Sequence, residues 1–496
     1  VCMDDTIYFL SDRDGRMNIW AYSVESRELE QITRVTGSDI KWLSGNGAKL
    51  AYERDGYLTI LNPETGSSNR LNLSVQGDFP WAEKQWEEVS DRIASASLSP
   101  TGKRALMEAR GEIFTVPVEH GDTRNISRSS GAADRAPIWS PDGARIAWFT
   151  DKSGDGYEVV ITSQDGRSDE KRYSIGKSNL GWEPVWSPDG NYIAFADDDV
   201  RIRVLDLEKG SIKTIDTGGT NLERGSNGLT WSKDSKWLAY SKTAANNFRR
   251  IMVWSLEEKK TRAVTNMFAD SFSPSWDRDG KHLYFLASTD VALGSGWANT
   301  SSMQADPTYG AYVINLRAED ESPFKPRSDE EEPEKEEDEK KTEAEEEEKP
   351  EAEEKGIEID FSGIEKRTMA LPIPVKNYRY TIAGPSGSVF IGERKAGSGE
   401  MVVHKYVLEK RKPEEFVGGA RRVSVSFDGK KMLFQQRGSW KVAGTAAPVK
   451  NGGTTLPVKL YMHLDRVAEW NQIFEEAWRY ERDYFYDPNL HGRNWD

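Results

Sequence analysis

A chain in which the turn motif Trp-Ser-Pro-Asp-Gly, exact or degenerate, returns at intervals of 41 to 47 residues, each time ahead of a short apolar strand, is predicted to be all-β and built on a seven-bladed β-propeller. The composition agrees. Seventeen Trp, 42 Gly and a 10% aromatic share in 496 residues suit many short strands packed on large side chains and separated by tight turns.

The motif is clearest at Trp139-Ser140-Pro141-Asp142-Gly143, followed by Ile146-Ala147-Trp148-Phe149, and at Trp186 to Gly190, followed by Ile193-Ala194-Phe195. Degenerate copies stand at Leu98 to Gly102, Trp231 to Ser235, Trp276 to Gly280 and Val425 to Gly429. The fifth-position residues Gly102, Gly143, Gly190, Ser235 and Gly280 are spaced by 41, 47, 45 and 45, the length of one four-stranded blade. A further copy is expected in the longer gap before Gly429, and Gly384-Pro385-Ser386-Gly387 ahead of Val389-Phe390-Ile391 fills it, 42 residues upstream. Ser and Asp cap local backbone N–H groups, Pro presets φ, and Gly takes the positive φ that closes the turn. Seven copies therefore place the propeller at about 90–446, with second strands such as Tyr157-Glu158-Val159-Val160-Ile161 following each motif.

Two blade-like pieces come before this set. The first holds Ile7-Tyr8-Phe9-Leu10 and Ile19-Trp20-Ala21-Tyr22, and Ser44-Gly45-Asn46-Gly47 opens the second. Residues 1–89 are read as the C-terminal blades of a preceding propeller of six-bladed type, continued upstream, because two blades alone leave strand edges open. The opening Val1-Cys2-Met3 is neither an initiator Met nor a signal sequence, so the natural N-terminus is expected to lie upstream.

Between Arg327 and Lys355 stand 17 acidic and 6 basic side chains, which account for −11 of the formal charge of −15. This low-complexity run, part of an insert at about 325–357 in the fifth blade, is expected to be disordered. The remaining −4 leaves no basic stripe for nucleic acid. No stretch approaches the roughly 20 apolar residues of a membrane-spanning helix. The single cysteine, Cys2, excludes an internal disulfide and a Cys-based zinc site.

After the last blade, Gly452-Gly453 interrupts the pattern and Leu456-Pro457-Val458-Lys459-Leu460 reads as one strand. Then the period becomes helical. Val467, Trp470, Phe474, Ala477 and Trp478 recur on one face, Asp465 can cap the start, and Pro488 lies beyond the end. The stripe reads as core, with that core outside this chain, so 447–496 is expected to begin a further domain.

Chemistry-bearing constellations are missing from the sequence: there is no Gly-x-Ser-x-Gly, His-Glu-x-x-His, Cys-x-x-Cys or Walker A loop, and Gly176-Lys177-Ser178 lacks the glycine a phosphate loop needs. His120, His282, His404, His463 and His491 are scattered and read as structural or solvated. Asn72, Asn125 and Asn299 open glycosylation sequons too short to carry weight. The loop from Ala287 to Gly310, longer than its counterparts, carries Trp297 and Tyr309; an ordinary surface insertion is the simpler reading and the lining of a channel mouth the alternative. No catalytic, cofactor-binding or metal-ligating residue is expected within 1–496.

Two segments resemble the tricorn-type proteases, self-compartmentalising serine peptidases of the carboxyl-terminal-processing clan. Gly111-Glu112-Ile113-Phe114-Thr115-Val116-Pro117, with Thr123-Arg124-Asn125-Ile126, is similar to the opening of that family's seven-bladed propeller. Glu469-Trp470-Asn471-Gln472-Ile473-Phe474, continuing through Arg482-Asp483-Tyr484-Phe485-Tyr486-Asp487-Pro488 to His491-Gly492 and Trp495, is similar to the start of its first catalytic subdomain. The resemblance implies a substrate-gating portion of a serine endopeptidase that acts on peptides or unfolded polypeptides. It also implies a homo-oligomer, a hexamer by family, with the general-base His and nucleophilic Ser downstream; His491 belongs to the loop before them. It implies a cytoplasmic location, or a periplasmic one if a signal peptide precedes, since the acidic run departs from the archaeal type and resembles bacterial relatives. Two other readings stay open. A TolB-like propeller would be a pure interaction module, whereas a prolyl-oligopeptidase-like enzyme would need a downstream Gly-x-Ser-x-Gly.

Overall fold

The computed structural model describes residues 1–154, 156–177, 180–218, 227–289, 308–327, 356–450 and 452–492. These form two compact units, 1–80 and 81–496. Where the sequence drew its boundary at 89, the division falls after Pro80, because Gln85–Glu88 pairs with Tyr461–Leu464 inside the second unit.

The first unit holds two four-stranded antiparallel sheets, over 2–31 and 41–70. Ile19, Ile40, Leu50, Tyr52 and Leu61 form their buried core. The buried Asn18 side chain accepts hydrogen bonds from Thr33 Oγ1 and the Val35 N–H, and Thr33 Oγ1 accepts from the Ile19 N–H. One polar side chain thus fixes the path out of the first sheet.

The second unit contains seven four-stranded antiparallel sheets, over 93–125, 135–177, 181–217, 230–263, 270–370, 378–418 and 421–455, each with its strands in consecutive order. The first strand of each sheet touches the first strand of the next, and that of the seventh touches that of the first. The sheets therefore close into a ring of seven blades around an axial channel walled by those first strands. The copy expected at 384–387 is the turn between Tyr378–Ala383 and Ser388–Arg394.

The motif works as its chemistry requires. Ser140 Oγ accepts from the Arg145 N–H at 2.9 Å and donates to Asp142, and Gly143, at φ 73°, donates its N–H to Ser140 O. The same Ser-to-strand bond recurs from Tyr192, Trp237 and Lys431 to Ser187, Ser232 and Ser426. Six of the seven first strands also carry a bulge, with positive φ at Ala136, Glu183, Ser273 and Arg422 in four of them. The motif tryptophans of the fourth and fifth blades tie neighbours together, Trp231 Nε1 donating to Val185 O and Trp276 Nε1 to Thr230 O.

Among the described residues no blade borrows a strand from the opposite end of the chain. The seam between the seventh and first blades is closed by side chains instead: Leu433, Trp440 and Val442 share a buried cluster with Ile93, Leu98 and Met107. Arg422 donates to Ile93 O and the Asp428 N–H to Pro100 O. The Gln85–Glu88/Tyr461–Leu464 pair adds Met462 and Leu464 to the same cluster.

Two expectations change here. The seventh sheet runs to Thr455 rather than 446, because Thr454–Thr455 pairs with Lys441 and Val442. The strand expected at 456–460 is an extended link whose Leu456 and Leu460 are buried; the strand lies one step later, at Tyr461–Leu464, where a partner edge exists. In the fifth blade the third and fourth strands are Gly310–Asn315 and Thr368–Ala370. Most of the acidic run between them lies outside the described residues.

Candidate functional site at the two ends of the ring

Antiparallel four-stranded blades send their turns alternately to the two ends of the ring. The motif turns, between first and second strands, mark one end. The turns between second and third strands and the links between blades mark the other.

At the motif end the fifth blade departs from the repeat: Asp277 stands in the Ser position and Arg278 in the Pro position. Arg278 reaches past the sixth blade to the seventh. Its guanidinium donates to Ala383 O (2.7 Å), Gly384 O (2.5 Å), Ser426 O (3.1 Å) and Phe427 O (3.3 Å). Burial pushes it below its ordinary pKa, with Asp277 and Asp428 acting against that. Asp277 is fully buried and accepts from the Tyr284 hydroxyl and from the N–H groups of Gly387 (2.9 Å) and Asp279 (3.1 Å). Burial, and after it the neighbouring Asp279, raises its pKa.

Asp277, Asp279 and His282 bring three potential metal-ligand atoms within 4.8 Å of one another, a grouping the sequence reading did not anticipate. Their atoms are already engaged: Asp279 accepts from the Lys281 N–H and pairs with His282 Nδ1 at 2.7 Å. The cluster acts as a turn cap built from carboxylates.

The opposite end carries the one α-helix among the described residues, α1 (Arg466–Tyr484). Asp465 caps it by accepting from the Ala468 N–H at 3.1 Å. That bond, and then the Lys84 ammonium, holds the Asp465 carboxyl below the usual range. The helix docks with its polar face inward. Arg110, in the turn after the first blade's second strand, pairs with Glu469 (2.6 Å) and Glu87 (2.9 Å), and Glu469 raises its pKa. Arg135 pairs with Glu476 at 2.5 Å, and Glu476 also accepts from the Tyr157 hydroxyl at 2.9 Å. Asp151, its carboxylate 1% exposed, accepts from Arg479 (2.5 Å), Gln472 (3.0 Å) and the Ala133 N–H (2.7 Å). Tyr484 donates to Asp198 of the third blade.

Most of the apolar stripe read from the sequence points away from this interface: Val467, Trp470 and Phe474 are 46, 44 and 69% exposed and Ala477 is exposed, Trp478 is half-buried, and Arg479 is the helix residue that is buried. Trp470 meets one partner ring, Trp81, at 5.5 Å. The alternative of a channel-mouth lining fails at Tyr309, which is buried between the fifth and sixth blades against Phe272. Trp297 lies outside the described residues.

The histidines are placed apart. His120 is exposed, and His282 belongs to the fifth-blade turn. His404 Nε2 meets Glu393 at 2.6 Å, His463 packs on Trp86, and His491 contacts Asp487 and Tyr486. Asn125 is engaged with Glu112.

Residues 93–445, the ring just described, match the tricorn protease second beta propeller domain. The chain belongs to the tricorn protease family. Residues 466–496, beginning with the first residue of α1, match the tricorn protease C1 domain. Tricorn protease homolog 1 of Streptomyces coelicolor is 25% identical over 99% of this chain and 47% of its own length. The tricorn protease of Thermoplasma volcanium is 24% identical over 98% and 45%. The crystal structure of the tricorn protease superposes with a TM-score of 0.72 at 20% identity, covering 99% of this chain and 46% of that one. The chain thus spans about half the length of the curated relatives it matches. Among the described residues no helix is long and apolar enough to cross a membrane.

Proposed function

We propose that residues 1–496 are the substrate-gating portion of a tricorn-like serine endopeptidase, with the catalytic Ser and His outside this segment. One observation carries the reading: a helix matching the start of the tricorn C1 domain is fixed by ion pairs to one end of a ring matching the tricorn second propeller. Such a junction aligns the axis of the channel with whatever follows the helix, so peptides or unfolded polypeptides passing through are delivered in register. It also weighs against a stand-alone TolB-like binding ring. The assembly is a homo-oligomer, hexameric as the resemblance implies, in the cytoplasm.

Purified 1–496 is expected to cleave no fluorogenic peptide, and inhibitor-sensitive hydrolysis by it would overturn the assignment. In the full-length peptidase, Ala94→Trp, at the exposed position of the first blade's innermost strand, should slow cleavage of long unfolded polypeptides while sparing tripeptides. Equal slowing of both would remove the channel from the route.

A further inference from the structure

Arginines recur at two positions of the blade repeat, both at the end of the ring that bears α1. One position opens the innermost strand, directly before the bulge residue: Arg135 before Ala136 (φ 50°), and Arg421 before Arg422 (φ 52°). The other begins a two-residue turn between second and third strands: Arg110-Gly111 (φ 47°, 72°) and Arg437-Gly438 (φ 50°, 82°). The matching backbone conformations bring these side chains to the same end of the ring.

Over the first two blades both positions hold carboxylates, Arg110 those of Glu469 and Glu87, Arg135 that of Glu476. In the seventh blade Arg421 and Arg437 are exposed and make no ion pair or side-chain hydrogen bond among the described residues. Together with Gln435 and Ser398 they line a recess of about 460 Å³. The carboxylates beside it, Glu400 over Gly418 and Gly419 and Glu415 over Gly418, pair with neither guanidinium. Two planar donor forks line an open recess with no carboxylate paired to either, a geometry suited to bidentate carboxylate recognition.

We propose that this recess between the sixth and seventh blades binds the carboxylates of a peptide segment, supplied by acidic side chains or by a free C-terminus. The ring shows the chemistry in its own structure, since the same two repeat positions already hold glutamates of a helix elsewhere at this end. That the ligand is a peptide rests on the function proposed above. The binding readout is independent of cleavage, so the recess can fail while the peptidase reading stands.

The test is fluorescence anisotropy of the whole chain with three N-terminally labelled peptides: Glu-rich with an amidated C-terminus, neutral with a free C-terminus, and Lys-rich amidated. At least one of the first two should bind, with affinity falling as salt rises, and the Lys-rich peptide should not. Which of the two binds identifies the source of the carboxylate. R421Q/R437Q should weaken that binding about tenfold or more without changing the melting temperature, since both side chains are exposed. R421K/R437K, which keeps the charge but loses the fork, should fall between, and R124Q on another blade should match the unaltered chain. Undiminished binding by R421Q/R437Q, equal binding of the Lys-rich peptide, or binding of none of the three would overturn the proposal.

Discussion

Both ends of the ring spend arginines, but on different acceptors. At the motif end Arg278 gives its N–H groups to main-chain carbonyls of the sixth and seventh blades, groups that carry no net charge and do not titrate. At the helix end Arg110, Arg135 and Arg479 give theirs to carboxylates of α1 and of the ring. Carbonyl acceptors make a fastening that acid leaves in place. Carboxylate acceptors make one that protonation or salt can release, except where burial shields it.

The largest effect is expected where that shield is best. Asp151→Ala leaves the Arg479 guanidinium without its carboxylate and the buried Ala133 N–H without an acceptor, at a cost of about 3–5 kcal/mol. Hydrogen exchange of the α1 amides should accelerate by about 100-fold or more, while the strands of blades four to six keep their protection. Asp151→Asn, which retains an acceptor for Ala133, should lose less.

Arg278→Ala should cost about 2–3 kcal/mol in urea unfolding followed by tryptophan fluorescence, because part-buried main-chain carbonyls of two blades lose a charged donor. Protection of α1 should not change. An equal loss in the helix would show that the two ends are not independent.

Acidification should separate the ends by sign. Asp465 titrates below its unfolded value, so its contribution is present above that value, about 3.9, and is lost as pH falls through the folded one. Asp277 titrates above its unfolded value, so its contribution is fully present at low pH and fades as pH rises through the folded one. Exchange measured at stepwise lower pH should therefore show α1 loosening before the fifth-blade turn. The reverse order would break the distinction.

Much of the ring was legible because each blade states its own rule locally. Ser140, Asp142 and Gly143 sit within five residues of the amide they cap, and even the weak sixth copy at 384–387 could be found by counting. The helix and its Asp465 cap were legible for the same reason. What stayed hidden depends on partners distant in sequence. Periodicity detects the Trp470 and Phe474 stripe and turns it inward. It is blind to Arg110, Arg135 and Asp151, which draw the opposite face of α1 onto the ring. The edge strand at 461–464 was misplaced because its position is set by Gln85–Glu88, near the other side of the ring in sequence. The Asp277 turn was readable as a Ser-to-Asp change, but only the fold brings Tyr284 and Gly387 to its carboxylate.

The seam between the seventh and first blades has no shared strand to lock it, and the segment that reinforces it, Tyr461–Leu464, runs straight into the helix cap at Asp465. Pulling on α1 therefore loads this seam directly through the Leu464–Asp465 peptide bond, while its ion pairs pass the rest of the load to the second and third blades. A force or displacement arriving from beyond the helix thus enters the propeller on one side, at the seam where the ring closes and at the blades that hold α1.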